Sequence, residues 1–403
     1  MWFKRDIETS WNAPGHLEVR ILTGPRQCGK SALLDRLMPD HWRLATLDDL
    51  QSRQLANQDP GLFLEQLSLP AVIDEMQYAP PLFPEVKRRV DDLRRVRRRA
   101  NESLAREDLI WATGSNQIFF DRHVKESLAG RASYFTLHPL SFAELRRAFP
   151  ELSLETWLLR GGWPELYASP TTDPIRYLDD YVRTYLERDI VVAAGIQKIS
   201  AFSMTLGLIA ARTGSLLNLS DIAAPTGVEV TTVSDWIGII ERAGLCVRLP
   251  PYHSNLNKRL VKTPKIHVTD IGLAARLQGW REPTPAVLSP QIGGLFESAV
   301  VGEVIRTKDN FRRDWQLFFW RTKESEEIDL IVSAGPNRML ALEVKFASQS
   351  VPDIPLTPAF CKTFPNIQTI NVVTWGGEQR WISKTCRQIP LQHLGNVLLH
   401  ELG

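Results

Sequence analysis

Residues Gly24-Pro25-Arg26-Gln27-Cys28-Gly29-Lys30-Ser31 fit the pattern G-x4-G-K-[ST] without a mismatch, with Ala32 following. In such a loop the glycines let backbone amides close around phosphate oxygens, and the start of the next helix adds a positive dipole end. Lys30 would reach the β- and γ-phosphates, and the Ser31 hydroxyl would hold Mg²⁺. A glycine turn with a surface lysine is the competing explanation. The context decides against it: residues 19–22 read as a buried strand, and Ala32, Leu33, Leu34 and Leu37 follow at helical spacing.

Residues 69–75 form an apolar run ending in two acids, Asp74 and Glu75. At the C-terminal end of a parallel strand, Asp74 would hold Mg²⁺ through water and Glu75 would polarise the attacking water. A third run, residues 109–116, ends in small polar groups, of which Ser115 or Asn116 would touch the γ-phosphate or that water. Hydrolysis also calls for a cation against the developing charge, often an arginine from a neighbouring subunit. Arg131 and Arg188 are the candidates, each with a structural ion pair as its alternative.

A second group of chemistry-bearing residues lies near the C-terminus. The runs at residues 327–332 and 340–346 flank the turn Ala-Gly-Pro-Asn-Arg, and a hairpin symmetric about Pro336 sets Asp329 across from Glu343. Alternation sends Leu342, Val344 and Phe346 to the core and Glu343 and Lys345 to the other face. Opposed carboxylates are unfavourable unless a cation sits between them. Asp329 and Glu343 would therefore hold a metal, and Lys345 would orient the water or steady phosphate charge. The pattern resembles a PD-(D/E)xK nuclease site, which implies an α+β restriction-endonuclease-like domain. Glu297 resembles the further acid of such folds, with Glu303 as its rival. This fold is often kept without cleavage, so nuclease activity stays open.

The elements that must position these groups follow from the pattern. Residues 18–149 alternate short apolar runs with helical stretches, as expected of a parallel α/β sheet. Residues 153–277 are mostly helical. Within them, residues 219–243 have helix-turn-helix proportions, with Val233, Ile237 and Ile240 on the buried face of the second helix. Residues 245–249 and 258–265 read as a two-stranded wing. The exposed side of the second helix has no arginine for guanine edges, whereas Lys258, Arg259, Lys262 and Lys265 suit phosphates. DNA contact would then be structure- rather than sequence-specific. A solvated helix is expected at residues 87–99, eight cations against two acids, with Val86, Val90, Leu93 and Val96 facing the sheet. Three prolines in residues 281–290 read as a linker.

The ordered motifs GPRQCGKS, VIDEMQ, ATGSNQ, SLAGR, HPLSFAEL, GGWPELY and YVRTYLERDI resemble prokaryotic AAA+-type ATPases with a C-terminal domain of unknown function, nearly end to end. The resemblance implies an AAA+ core, a helical lid, ATP with Mg²⁺, and a homo-oligomer that can take the form of a hexameric ring. The expected organisation is an AAA+ core at 1–147, a lid at 148–200, a winged helix at 201–282 and a nuclease-like domain at 283–403.

Composition bounds these expectations. The 403 residues are 43% hydrophobic and 23% charged, which excludes a mainly disordered chain. Basic and acidic side chains, 48 against 46, leave +2, so any grip on nucleic acid must come from local patches. Four scattered cysteines argue against a disulfide framework or structural zinc. No apolar run would cross a membrane, and a cytoplasmic location is expected. The function expected is Mg-dependent ATP hydrolysis acting on DNA, with branched DNA such as Holliday junctions as the preferred substrate. An ATP-controlled switch in defence or signalling, and a protein-remodelling ATPase, are the rivals.

Overall fold

A computed structural model of the chain describes residues 1–100, 108–114, 127–253, 263–324, 326–349 and 351–403, the side chains of 187–189 and 193 excepted. The backbone divides into two units, residues 7–138 and residues 1–6 with 139–403.

The 7–138 unit is built on strands β1 (Val19–Thr23), β2 (Arg43–Thr46), β3 (Ala71–Asp74), β4 (Ile110–Gly114) and β5 (Ala132–Thr136). All pair in parallel in the order β2-β3-β4-β1-β5. The inner strands β3 and β4 are near-continuous apolar runs, buried throughout, because the middle of a parallel sheet is covered on both faces, whereas the edge strand β2 exposes Arg43 and Leu44. The connection leaving β1 runs toward the β2 edge and the one leaving its neighbour β4 runs the other way, to β5, which places a crevice between the carboxyl ends of β1 and β4. Helix Lys30–Leu37 follows β1 directly, and helix Leu50–Gln58 starts where the Asp49 carboxylate accepts the Ser52 amide at 2.8 Å. Helix Leu82–Ala100 buries Val86 and Val90, but Val96 is exposed rather than facing the sheet. Many of its cations are paired locally: Arg88 with Glu85 and Asp92, and Arg94 with Glu18.

In the other unit, helix Phe142–Ala148 begins with a reciprocal capping box between Ser141 and Glu144. Glu144 also receives Arg5 at 3.2 Å and the Asp6 amide at 2.7 Å. The motif HPLSFAEL thus specifies a helix start and its anchor. Helices Ile199–Ala211, Leu219–Thr226 and Val230–Arg242 follow, with the small antiparallel sheet β6 (Ser215–Leu216), β7 (Cys246–Leu249) and β8 (Lys265–Val268) in the order β6-β8-β7. Pro225 lies inside the first helix of the helix-turn-helix pair instead of opening the turn, and Gly227 at φ 65° ends that helix. Val233, Ile237 and Ile240 are buried as expected.

The proline-rich stretch at 281–290 is a short helix, Pro283–Leu288, with proline in its first turn. Proline fits that place because the amide it lacks would have no helical partner there. Helix Ile292–Asn310 then packs closely on what precedes it: a Cβ on Gly302 would lie 2.3 Å from the Thr269 carbonyl oxygen, and one on Gly294 2.6 Å from that of Thr213. The stretch read as a linker is thus a helix, and residues 283–403 share one unit with the helices before them. A six-stranded sheet completes the unit: β9 (Gln316–Arg321), β10 (Glu327–Ser333), β11 (Met339–Lys345), β12 (Ile370–Thr374), β13 (Arg380–Trp381) and β14 (Cys386–Pro390), ordered β13-β14-β12-β11-β10-β9. The meander β9-β10-β11 is antiparallel, and β12 and β14 join it in parallel.

Candidate functional site

The loop from Gly24 to Ser31 lies between β1 and helix Lys30–Leu37. Gly24 has φ 144°, and a Cβ there would fall 2.0 Å from the Leu137 carbonyl oxygen, so only glycine fits. The buried Cys28 thiol donates to the same carbonyl at 3.3 Å, which pins the loop from beneath. Gly29 (φ 96°) caps the helix without any side chain over its first amides. The Lys30 ammonium is folded back, donating to the Pro25 and Gly24 carbonyls at 2.7 and 3.1 Å. Pro25, Arg26 and Gln27 form the loop crown, with Arg26 donating to the Tyr78 hydroxyl at 3.3 Å.

At the carboxyl end of β3, Asp74 accepts the Ser31 hydroxyl at 3.0 and 3.1 Å and, on Oδ1, the Thr113 hydroxyl. The Glu75 amide donates to Thr113 Oγ1 at 3.0 Å, while Gln77 donates to the Glu75 carboxylate. Glu75 itself sits in the left-handed region at φ 56°. Sequence reasoning singled out Ser31, Asp74 and Glu75 and missed Thr113, Gln77 and Asp48. Thr113 carried one legible signal, a hydroxyl residue at the end of the apolar run from Leu109, and the structure buries it fully. Asp48 is raised above the usual carboxylate range by burial and by the charges of Glu75 and Asp74. That surplus of negative charge beside Ser31 is what a divalent cation would offset, so these residues fit Mg²⁺.

Arg131 lies at the opposite, amino-terminal end of the sheet: its carbonyl accepts the Val19 amide, and its guanidinium forks onto Asp91 at 2.8 and 2.9 Å. Within its own unit it pairs with Asp91 and does not reach the phosphate loop, so a finger role would have to be played on a neighbouring copy. Ser115 and Asn116 lie outside the described residues, as does the Arg188 side chain.

The C-terminal carboxylates do converge. β10 pairs with β11 in the expected register about Pro336, from Ser333↔Met339 to Leu330↔Leu342. Beyond that pair Asp329 leaves the ladder, and its carboxylate accepts the Val344 amide at 2.8 Å. Leu342 is fully buried, but so is Ala341, because helix and loop segments cover both faces of the sheet. Lys345 reaches Glu343 at 2.8 Å, while Glu343 Oε2 is buried without a hydrogen-bond partner. Burial raises Glu297, Asp329 and Glu343, and the Asp329 charge raises Glu297 and Glu343 further.

Lys265 requires a correction. Instead of facing DNA phosphates, it is 4% exposed, and its ammonium lies 2.8 Å from Glu297, 2.5 Å from Glu327 and 3.7 Å from Asp329. Its place in β8, next to helix Ile292–Asn310, aims it inward. Lys258, Arg259 and Lys262 lie outside the described residues. Glu303, the rival to Glu297, is a structural group: it accepts the Phe142 amide at 2.9 Å and pairs with Arg306 at 3.0 Å. Among the described residues no set of three His, Cys, Asp or Glu side chains is already spaced for a metal.

Residues 17–146 match the family profile described as "AAA domain". The phosphate-loop region is thus similar to AAA-type domains. Residues 151–284 and 292–394 match two domains of unknown function, DUF8612 and DUF4143. Two curated relatives, uncharacterized proteins of Mycobacterium bovis and Mycobacterium tuberculosis, are each 28% identical over 333 residues, covering 82% of this chain and 70% of theirs. Among solved structures, the Aeropyrum pernix ORC2 protein in its ADPNP-ADP complexes aligns over 67% of this chain and 88% of its own, at 12% identity and TM-score 0.31. Its ADP form aligns over 60% and 84%, at 11% and TM-score 0.25. Likeness of that degree carries no argument. No helix among the described residues is long and apolar enough to cross a membrane.

Proposed function

We propose that the chain is a Mg-dependent, ATP-hydrolysing AAA+ protein that acts on DNA by its structure, branched DNA being the preferred substrate, as a homo-oligomer in the cytoplasm. The observation that carries the ATPase part is the chain of contacts Ser31–Asp74–Thr113–Glu75 at the mouth of the glycine loop. Ser31 and Asp74 would hold Mg²⁺, which when bound neutralises charge on the β- and γ-phosphate oxygens. Lys30 would leave the loop carbonyls for phosphate oxygens. Glu75, steadied by Gln77, would accept a proton from the attacking water, and Thr113 keeps Asp74 and the Glu75 backbone in fixed relation. An arginine finger must then come from elsewhere; Arg188, or Arg131 acting on a neighbouring copy, fills that role in this reading.

The DNA part rests on the helix-turn-helix geometry of helices Leu219–Thr226 and Val230–Arg242 beside a small antiparallel sheet, read as a winged helix. It rests also on the mixed sheet carrying Asp329, Glu343 and Lys345 near Glu297, read as a nuclease-like domain. ATP turnover of the wild type and of Glu75→Gln, with no DNA, single strand, duplex and four-way junction, tests both parts. Turnover that rises with junction DNA and vanishes in Glu75→Gln is the expected result, with any strand cleavage lost in Asp329→Ala. Turnover indifferent to every DNA, without salt-sensitive DNA binding, would overturn the DNA reading in favour of an ATP-controlled switch.

A further inference from the structure

The C-terminal centre already contains a cation of its own. Lys265 comes from β8, far in sequence from the carboxylates it meets, and lies almost fully buried among Glu297, Glu327 and Asp329. Its ammonium lies within ion-pair distance of all three carboxylates at once. The remaining acid, Glu343, is paired with Lys345. A second observation points to the same spot: His267, two residues along β8 on the same face, is fully buried. Its Nδ1 meets the Ser298 hydroxyl at 2.9 Å, but its Nε2 has no hydrogen-bond partner and lies 3.9 Å from Glu297 Oε1. Around Glu327 the only other cation within ion-pair distance among the described residues is Arg321, at 3.6 Å.

We propose that Lys265 is a built-in lock on this centre: its ammonium occupies the position among Glu297, Glu327 and Asp329 that a divalent ion would need, and keeps the centre closed to metal. The inference rests on reading these carboxylates as a cation site. An ammonium carries one charge where a divalent ion carries two, and it satisfies carboxylates through directed N–H donors rather than through close coordination. Coordination by Glu297 and Asp329 therefore requires that Lys265 withdraw. His267, whose buried Nε2 has no hydrogen-bond partner beside Glu297, becomes a further ligand once the ammonium is gone.

The test is Mn²⁺ binding by calorimetry on the full chain carrying Asp74→Asn, which removes the cation site at the phosphate loop. The parent should bind Mn²⁺ weakly or not at all. Lys265→Met should bind at least about tenfold more tightly, with a raised unfolding midpoint in Mn²⁺, and Lys265→Arg should behave as the parent does. Adding Asp329→Asn to Lys265→Met should abolish the gain. If Lys265→Met does not fold, the charge-balanced pair Lys265→Met with Glu327→Gln serves for the same titration. Tight Mn²⁺ binding by the parent that depends on Asp329 would overturn the lock while sparing the cation-site reading. Failure of every folded Lys265 variant to bind Mn²⁺ would overturn both.

Discussion

Thr113 donates to Asp74 and accepts from the Glu75 amide, so one buried hydroxyl ties the candidate metal ligand to the backbone of the candidate base. Thr113→Val keeps the shape, removes both bonds and leaves the Glu75 amide without its acceptor. Hydrogen bonds to charged groups contribute about 1.5–3 kcal/mol, so kcat for ATP should fall about 10- to 100-fold, and the unpaired Glu75 amide should also lower stability by about 1–3 kcal/mol. Single-turnover and steady-state rates would check this; an unchanged kcat would remove Thr113 from the site. His267 makes a pH prediction at the same scale. Burial first, and then the Lys265 charge, lower its pKa from 6.5 to about 3. A depressed histidine contributes stability that is present above the unfolded pKa and is lost as pH falls toward the folded one. The wild type should therefore lose stability between about pH 6.5 and about pH 3, by a few kcal/mol at most. The raised Glu297 carboxyl works in the opposite direction, so the histidine is isolated by comparison with His267→Gln, whose denaturant midpoint should fall less over that window.

At the scale of elements, the glycine loop depends on how closely β1's exit approaches the segment after β5. Gly24→Ala would drive a Cβ into the Leu137 carbonyl and impose φ 144° on an L-residue. Nucleotide affinity should drop by at least about 100-fold, measured with a fluorescent ATP analogue, because the loop must move off its phosphate-binding shape. Much of this region was legible in the sequence, since strand runs, loop motif and helix spacing are local signals. The order β2-β3-β4-β1-β5 was not, because parallel pairing is set by contacts between distant segments. The β10–β11 register could be read because a short turn fixes it about Pro336. Lys265 was misread because its sequence neighbours Lys258, Arg259 and Lys262 suggest a solvated basic strip, while its true partners lie 32, 62 and 64 positions further on. Proline content misled at 283–288, where the same residue that punctuates loops opens a helix.

On the scale of the whole molecule, the first six residues belong with 139–403, not with the phosphate-loop unit that follows them. Phe3 packs on Phe149 with ring centroids 6.1 Å apart, and Arg5 pairs with Glu144 where both side chains are almost wholly buried. Arg5→Ala strands a buried carboxylate and should lower the stability of the 139–403 unit by about 3 kcal/mol. Nucleotide affinity of the 7–138 unit should not change, and paired calorimetry and analogue binding would separate the two effects. The chain thus enters the ATPase unit after residue 6 and leaves it after residue 138, in each case from and to the same body. An appended domain swings on a single cord. This one has two: the covalent chain after residue 138 and, before residue 7, a six-residue segment held in the larger unit by contacts such as Arg5–Glu144. A cut before residue 7 leaves the first link intact, whereas after a cut beyond residue 138 the second holds only as long as those contacts do.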